Sequence, residues 1–453
     1  MRWFLAAALL LVGTVPAAAQ RPDTSRLPTG VKVDLLYNTM QRPLVAVRPF
    51  AAPPEAQAVA EQAHAIIVRD LDYSDRYVLA EVPEALRSGP VMLAAWNDLG
   101  VVYLVTGEVE RHVDGYLLRL ALHDVPFGKL KEIQAFRVPD PSAEDFRMAI
   151  HALADQLVDW ISGQPGMAAS RIAFVRDGRG GGRDELVIVD SDGENVRRVA
   201  SADIIVSPTW SPDGRRIAYA AMVDGGWRII ELELETGATH TVARAQPGTM
   251  VATPTYAPDG KRLVFAMLHG NASEFHEYDV ERRCCTRLLM RSRAVDISPT
   301  FSPDGRRLAF NSNRIGAPQI YVMPADGGQP ELLSPFVYGE SSYYTSPDWS
   351  PVGTYVAFHG KSRGGWFQVM VADAANVGAP VNQITQEGEN EDPSWAPDGR
   401  HLVYTSVRAG GQGLYVVDTF TGRERLLLSL AGAKVPDWSP TLRRAEGLAI
   451  LGR

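Results

Sequence analysis

From residue 171 onward, apolar and polar positions alternate in short runs: "RIAFV" (171–175), "RIAYA" (216–220), "RLVFA" (262–266), "RLAFN" (307–311), "YVAFH" (355–359) and "HLVYT" (401–405). Period-two alternation over five residues predicts a half-buried β-strand. All but the first run follow a proline-rich motif: "SPTWSPDG" (207–214), "TPTYAPDG" (253–260), "SPTFSPDG" (298–305), "SPDWSPVG" (346–353) and "DPSWAPDG" (392–399). A truncated copy, "VPDWSPTL" (435–442), closes the series. The leading prolines, Pro208, Pro254, Pro299, Pro347, Pro393 and Pro436, lie 46, 45, 48, 46 and 43 residues apart. A period in the forties is the mark of a repeat architecture.

Each part of the motif has a local physical role. Ser/Ala-Pro-Asp-Gly is a β-turn, with Pro presetting φ and Gly closing the turn. An aromatic residue follows each leading Pro-x (Trp210, Tyr256, Phe301, Trp349, Trp395 and Trp438), suited to filling the seam between neighbouring sheets. A second run comes about ten residues later, as in "PQIYVM" (318–323), and a Gly turn leads to a third, such as "RERLLL" (423–428). Four short antiparallel strands per unit make one propeller blade. The strand after the turn has six copies beginning at "RIAFV", and the Pro-aromatic strand has six copies shifted one place along the chain. The leftover "VPDWSP" therefore completes the first blade, and joining the two ends closes six blades without exposed edges.

Residues 31–165 carry no trace of the repeat. "RPLVAVRPF" (42–50) is strand-like, residues 54–74 place apolar side chains at helical spacing, and "MLAAWNDLG" (92–100) continues as a second helix. "VVYLVTGEVE" (101–110) reads as a strand, "GYLLRLALHDV" and "LKEIQAFRV" as a hairpin, and residues 142–163 as a helix. This predicts a small α/β domain with helices on a short mixed sheet. The opening "MRWFLAAALLLVGTVPAAAQ" has one basic residue, an apolar run and small residues before Gln20, the pattern of a secretory signal peptide cleaved near Ala19. The expected organisation is a signal peptide at 1–19, an extended segment at 20–40, the α/β domain at 41–165 and the propeller at 166–453.

Charge and chemistry narrow the reading. The net charge of −8 and the lack of a dense basic run argue against a nucleic-acid partner. The only cysteines, Cys284 and Cys285, are adjacent; they are either a disulfide, which an oxidising compartment permits, or two half-buried thiols. "GKSRG" (360–364) matches the G-x-S-x-G pattern, but it joins two strands of one blade, so Ser362 is expected in a hairpin turn and not at a nucleophile. The histidines are scattered, and His64 and His151, in helices, read as structural. No catalytic residue, metal site or cofactor is expected. The residues ahead of each Pro-aromatic strand fall at one mouth of the channel and include Asp296, Glu389, Glu391 and Asp392, a polar funnel suited to a partner.

The signal peptide, "RPLVAVRPF", "YLVTGEVE", "ELVIVDSDGENVRRV" and the recurring "SPxWSPDGRRIAYA" together resemble the TolB family of periplasmic propeller proteins of the Tol-Pal system, over about residues 31–442. The resemblance implies a monomeric, non-enzymatic adaptor that links the inner and outer membranes through its partners, supporting outer-membrane integrity and constriction at division. It places a Pal-like outer-membrane lipoprotein at the propeller mouth, on residues that include Met250, Thr253, Ile297 and Ser298, to which the acidic funnel read above adds Asp296, Glu391 and Asp392. It places a TolA-like inner-membrane protein on the N-terminal segment, through Val31, Val33 and Leu35. Met250 stands where a polar residue or His is common in that family. The alternatives are a secreted propeller enzyme, peptidase- or lyase-like, and a ligand-binding propeller. A peptidase of the prolyl oligopeptidase type needs a hydrolase domain of some two hundred residues, for which the chain offers no segment.

Overall fold

Two parallel pairings and two hairpins build the first sheet. In the computed structural model, which describes residues 42–178, 181–336, 342–361 and 365–449, the sheet order is β2-β1-β3-β4-β5. Its strands are β1 (Leu44–Val47), β2 (Val78–Leu79), β3 (Tyr103–His112), β4 (Gly115–Asp124) and β5 (Lys129–Val138). β1 runs parallel to β2 and β3, and the longer strands β3, β4 and β5 are antiparallel. Helices α1 (Gln57–Tyr73) and α3 (Phe146–Ser162) cover one face, burying Ile67, Leu71, Ile150 and Leu153 against Val105, Leu118 and Leu120. The short α2 (Leu93–Asp98) seats Trp96 on the other face against Ala46 and Leu104. The strand, hairpin and helix readings of this region agree with these elements. The proposed signal peptide and the segment carrying Val31, Val33 and Leu35 lie outside the described residues, as does Ser362.

The second part is a closed ring of six four-stranded sheets. Blade 1 takes its innermost strand, Ala433–Trp438, from the far end of the chain and pairs it with Arg171–Arg176. The other innermost strands are Ile204–Trp210, Met250–Tyr256, Asp296–Phe301, Tyr344–Trp349 and Glu389–Trp395, in blades 2 to 6. The predicted closure by joining the ends is therefore present. The Ser-Pro-Asp-Gly turns follow these strands as expected: Gly214, Gly260, Gly305, Gly353 and Gly399 take φ of 68°, 68°, 69°, 80° and 63°. In two of them the Ser hydroxyl donates to the turn carboxylate, Ser211 to Asp213 and Ser302 to Asp304. The strands on either side of Ser362, Tyr355–Lys361 and Phe367–Asp373, pair antiparallel with Lys361 opposite Phe367.

Each aromatic of the motif is buried in an inter-blade core. Trp349 packs with Ile320 and Val322 of blade 4 and Val356 of its own blade; Trp438 packs with Val403 and Val416 of blade 6 and Ile172 of blade 1. Beyond Trp438 the chain leaves the ring. Leu442 donates its N–H to Ala169, a 3-10 turn follows at Ala445–Gly447, and Ala449 bridges Phe136 on β5. Ala445 and Leu448 are buried in the core of the α/β domain. The same short stretch thus closes the propeller and ties it to the first domain. The link before blade 1 is gripped as well: Asp155 on α3 accepts N–H bonds from Ala168 (2.8 Å) and Ala169 (2.9 Å), and burial pushes its carboxyl up to about 7.

Candidate functional site

Six side chains of one backbone type ring the narrow end of the central channel. Ser207, Thr253, Ser298, Ser346, Asp392 and Val435 each stand directly before a motif proline, and each has positive φ: 50°, 46°, 54°, 51°, 51° and 47°. That conformation is uncommon outside glycine and costly for β-branched Thr253 and Val435. It persists because each innermost strand is bulged at this point: the pairing register shifts across every Ser/Thr/Asp/Val-Pro step. A proline has no N–H for the ladder, and a bulge re-aims the residue beside it. Repeated six times, the device turns the pre-proline residue toward the axis. With the prolines, the ring encloses a polar cavity of about 130 Å³.

The residue between Pro and the aromatic (Thr209, Thr255, Thr300, Asp348, Ser394 or Asp437) forms the next layer and borders a wider chamber of about 430 Å³. That chamber reaches Thr441 and Arg444 of the returning tail. The pre-proline ring is therefore at the end of the channel remote from the α/β domain. The middle layer is also a clasp between blades. In four copies the backbone N–H of the following aromatic donates across the seam: Trp349 to Thr300 (3.1 Å), Trp395 to Asp348 (2.7 Å), Trp438 to Ser394 (3.0 Å) and Trp210 to Asp437 (2.7 Å). Burial pushes the Asp348 carboxyl up to about 6, and burial together with the charge of Asp348 raises Asp437 well above the usual carboxylate range. This layer was missed in the sequence, although a short acceptor (Thr, Ser or Asp) in every copy of Pro-x-aromatic was a usable signal.

The residues singled out at the mouth separate into two groups. Thr253, Ser298 and Asp392 line the channel ring. They are interlocked: Ser298 donates its N–H to Thr253 Oγ1 (3.0 Å), Ser346 Oγ donates to Asp392 Oδ1 (2.9 Å), and Asp392 donates its N–H to His359 Nδ1 (2.9 Å). Burial keeps the His359 pKa below its usual value. Met250, Ile297 and Glu391 are half-buried on the same strands outside the ring cavity. Burial, then the neighbouring charges of Asp392 and Glu389, pushes the Glu391 carboxyl up to about 7. Asp296 is fully buried and paired with Arg314 at 3.2 Å, so its carboxylate is committed inside blade 4. Cys284 and Cys285 lie away from the channel, on the outer strand Cys284–Ser292 of blade 3, with their sulfurs bonded to each other.

A closed six-bladed propeller with a small α/β domain at one end and a polar ring at the other defines a two-domain propeller protein. Comparison with known proteins specifies the family. A sequence model of the TolB beta propeller domain matches residues 158–442, and one of the TolB amino-terminal domain matches residues 31–130. The chain belongs to the TolB family. "Tol-Pal system protein TolB" of Methylococcus capsulatus is 36% identical over 213 residues, 45% of this chain and 48% of that protein, so that match spans about half the relative's length. Its namesake from Bordetella pertussis is 29% identical over 450 residues, 98% of this chain and 97% of that protein. The crystal structure of TolB from Acinetobacter baumannii superposes with a TM-score of 0.77 at 26% identity, covering 88% of this chain and 97% of that one.

Proposed function

We propose that this protein is a non-enzymatic periplasmic adaptor of the Tol-Pal system. Its propeller mouth takes a Pal-like outer-membrane lipoprotein, and the segment around Val31, Val33 and Leu35 takes a TolA-like inner-membrane protein. Such an adaptor joins the two membranes and supports outer-membrane integrity and constriction during division. The observation that carries the reading is the pre-proline ring: six residues held at positive φ by bulges, at the end of the channel that the α/β domain leaves free. A mouth built this way is preorganised, so a partner binding there orders little of the protein and loses little affinity to entropy. Alternating Val31, Val33 and Leu35 suit strand addition to a partner's sheet edge.

Calorimetric titration of two variants against both partners tests the reading. Deleting residues 20–36 is expected to abolish binding of the TolA-like protein and leave the Pal-like protein bound. Ser298→Arg, which puts bulk and charge into the ring, is expected to do the reverse. Loss of both interactions in a folded deletion variant, or undiminished Pal-like binding by folded Ser298→Arg, refutes the division.

A further inference from the structure

Two buried histidines meet carboxylates across the junction between the α/β domain and the propeller. His151, on α3, places Nδ1 2.7 Å from Asp70 of α1 and Nε2 3.7 Å from Asp192, which lies on the blade 1 turn after Asp184–Asp190. Arg69 of α1 (2.5 Å) and Arg147 of α3 converge on the same Asp192 oxygen; Arg147 also reaches Asp190 at 3.7 Å. Arg69 touches Glu194 at 3.6 Å, Arg171 binds Asp190 at 2.9 Å, and the buried Asp155 carboxyl lies close enough to feel Asp70 and His151. Three cationic or potentially cationic groups of one domain thus surround one carboxylate of the other.

The second site has the opposite polarity. His401 belongs to blade 6 and places Nδ1 2.7 Å from Asp398 of its own blade and Nε2 3.3 Å from Asp75 of the loop after α1. Arg400 binds Asp418 at 2.6 Å and donates to the backbone carbonyl of Asp75 at 3.1 Å. Arg423 binds Asp75 and Asp72, each at 2.8 Å; Arg76 lies 3.6 Å from Asp398, and Arg425 stacks over Tyr73. Both histidines are fully buried. Asp190 and Asp192 of the first cluster and Asp72, Asp75, Asp398 and Asp418 of the second already hold guanidinium groups, so the clusters act as ion-pair joints.

We propose that His151 and His401 are the closing charges of a two-point latch between the domains, shut while both imidazoles are protonated and opened at alkaline pH. Burial opposes a charged ring at both positions, but the facing carboxylates outweigh it: Asp70, Asp192 and Asp190 around His151, and Asp398, Asp75 and Asp418 around His401. Both groups therefore keep their proton above the ordinary histidine value, and by linkage the stability they add is complete below that value. It is lost as pH rises through the higher value in the closed interface. Loss of one positive charge at each site leaves Asp70 facing a neutral ring inside the junction and Asp398 held by Arg76 in place of two cations, a costly arrangement for buried carboxylates. The linker before Ala168 and the tail after Trp438 still connect the domains, so the expected change is an opening about these two strands of chain.

Hydrogen exchange of the intact protein, corrected for intrinsic rates, tests this at pH 7 and pH 9.2. Protection in peptides covering residues 66–76 and 190–194 is expected to fall at least 10-fold at the higher pH, while the inner-blade strand Arg216–Val223 stays protected. The His151→Gln, His401→Gln double variant is expected to show the lower protection already at pH 7, with no further change. Equal interface protection at both pH values, equal loss in every strand, or an unchanged pH dependence in the double variant overturns the proposal. An NMR titration of the imidazole signals needs no variant: two of the nine histidines should titrate above the ordinary histidine value, and finding none there also overturns it.

Discussion

Removing the indole of Trp438 should weaken the ring where the two ends of the propeller join, at the pairing of Ala433–Trp438 with Arg171–Arg176. The side chain is buried between blades 6 and 1, against Val403, Val416, Ile172 and Phe174. Its Nε1–H donates to Ser170 Oγ at 2.7 Å, and its backbone N–H donates to Ser394. Trp438→Ala keeps the backbone bond but opens a cavity, which for a buried aromatic costs about 3–5 kcal/mol. The loss of the indole donor leaves the buried Ser170 oxygen one partner short, adding about 1 kcal/mol. At about 2 °C per kcal/mol for a cooperative unit of this size, the thermal midpoint should fall by about 8–12 °C. Trp349→Ala is the matched control, because its strand is continued covalently into the next strand of its own blade as well as into the preceding blade. The distinguishing result is local. Because Ala433–Trp438 is held to the first blade by pairing alone, hydrogen exchange in Arg171–Arg176 should rise in Trp438→Ala and not in Trp349→Ala. A midpoint within about 2 °C of the parent, or unchanged exchange in Arg171–Arg176, refutes the argument that this residue locks the ring.

Asp348 has a raised pKa in the folded ring, so its contribution is full below the unfolded value and is lost as pH rises through about 6. Asp348→Asn keeps an acceptor for Trp395 N–H, and its stability relative to the parent should improve between pH 5 and pH 8 by no more than about 3 kcal/mol, read by denaturant titration at each pH; a constant difference contradicts the assignment. Asp155→Ala orphans the N–H groups of Ala168 and Ala169 and should cost about 2–4 kcal/mol, with proteolysis beginning in the linker at 163–170, whereas Asp155→Asn should recover about half. Ser362→Ala should leave the melting curve and any hydrolytic background unchanged; loss of an esterase or peptidase activity in that variant would contradict the non-enzymatic reading.

The repeat was legible in the sequence because everything that specifies it is local. Proline sets its own φ, Gly214 and its counterparts supply the positive φ that closes each turn, and period-two alternation marks the strand that follows. These signals sit within about a dozen residues of one another and recur, the Pro-aromatic strand six times and the Gly turn five, so the blade, the blade count and even the closing role of "VPDWSP" could be read in one dimension. The α/β region was legible for a similar reason, through the apolar spacing of α1 and α3. The mouth was legible only in part. The position of Thr253, Ser298 and Asp392 follows from the motif, but Asp296 looks identical in the sequence to an acid free to face the channel. Only the fold brings Arg314 to it and buries the pair.

What the tertiary structure alone decided are the contacts between residues remote along the chain. Trp210 donates to Asp437, Trp438 to Ser170, and His401 reaches Asp75, across separations of 227, 268 and 326 residues. No spacing rule connects such positions, because their proximity depends on where six twisted blades and a second domain come to rest. The pKa values of Asp155, Asp348, Asp437, His151 and His401 belong to the same category: each follows from burial and from the charges gathered around the side chain. The sequence by itself therefore determined the units and the order of assembly, through backbone preferences that act over a few residues. Tertiary packing decided which carboxylates are free, which charges gather around each buried imidazole and how the two domains hold together, because electrostatics and burial act through space.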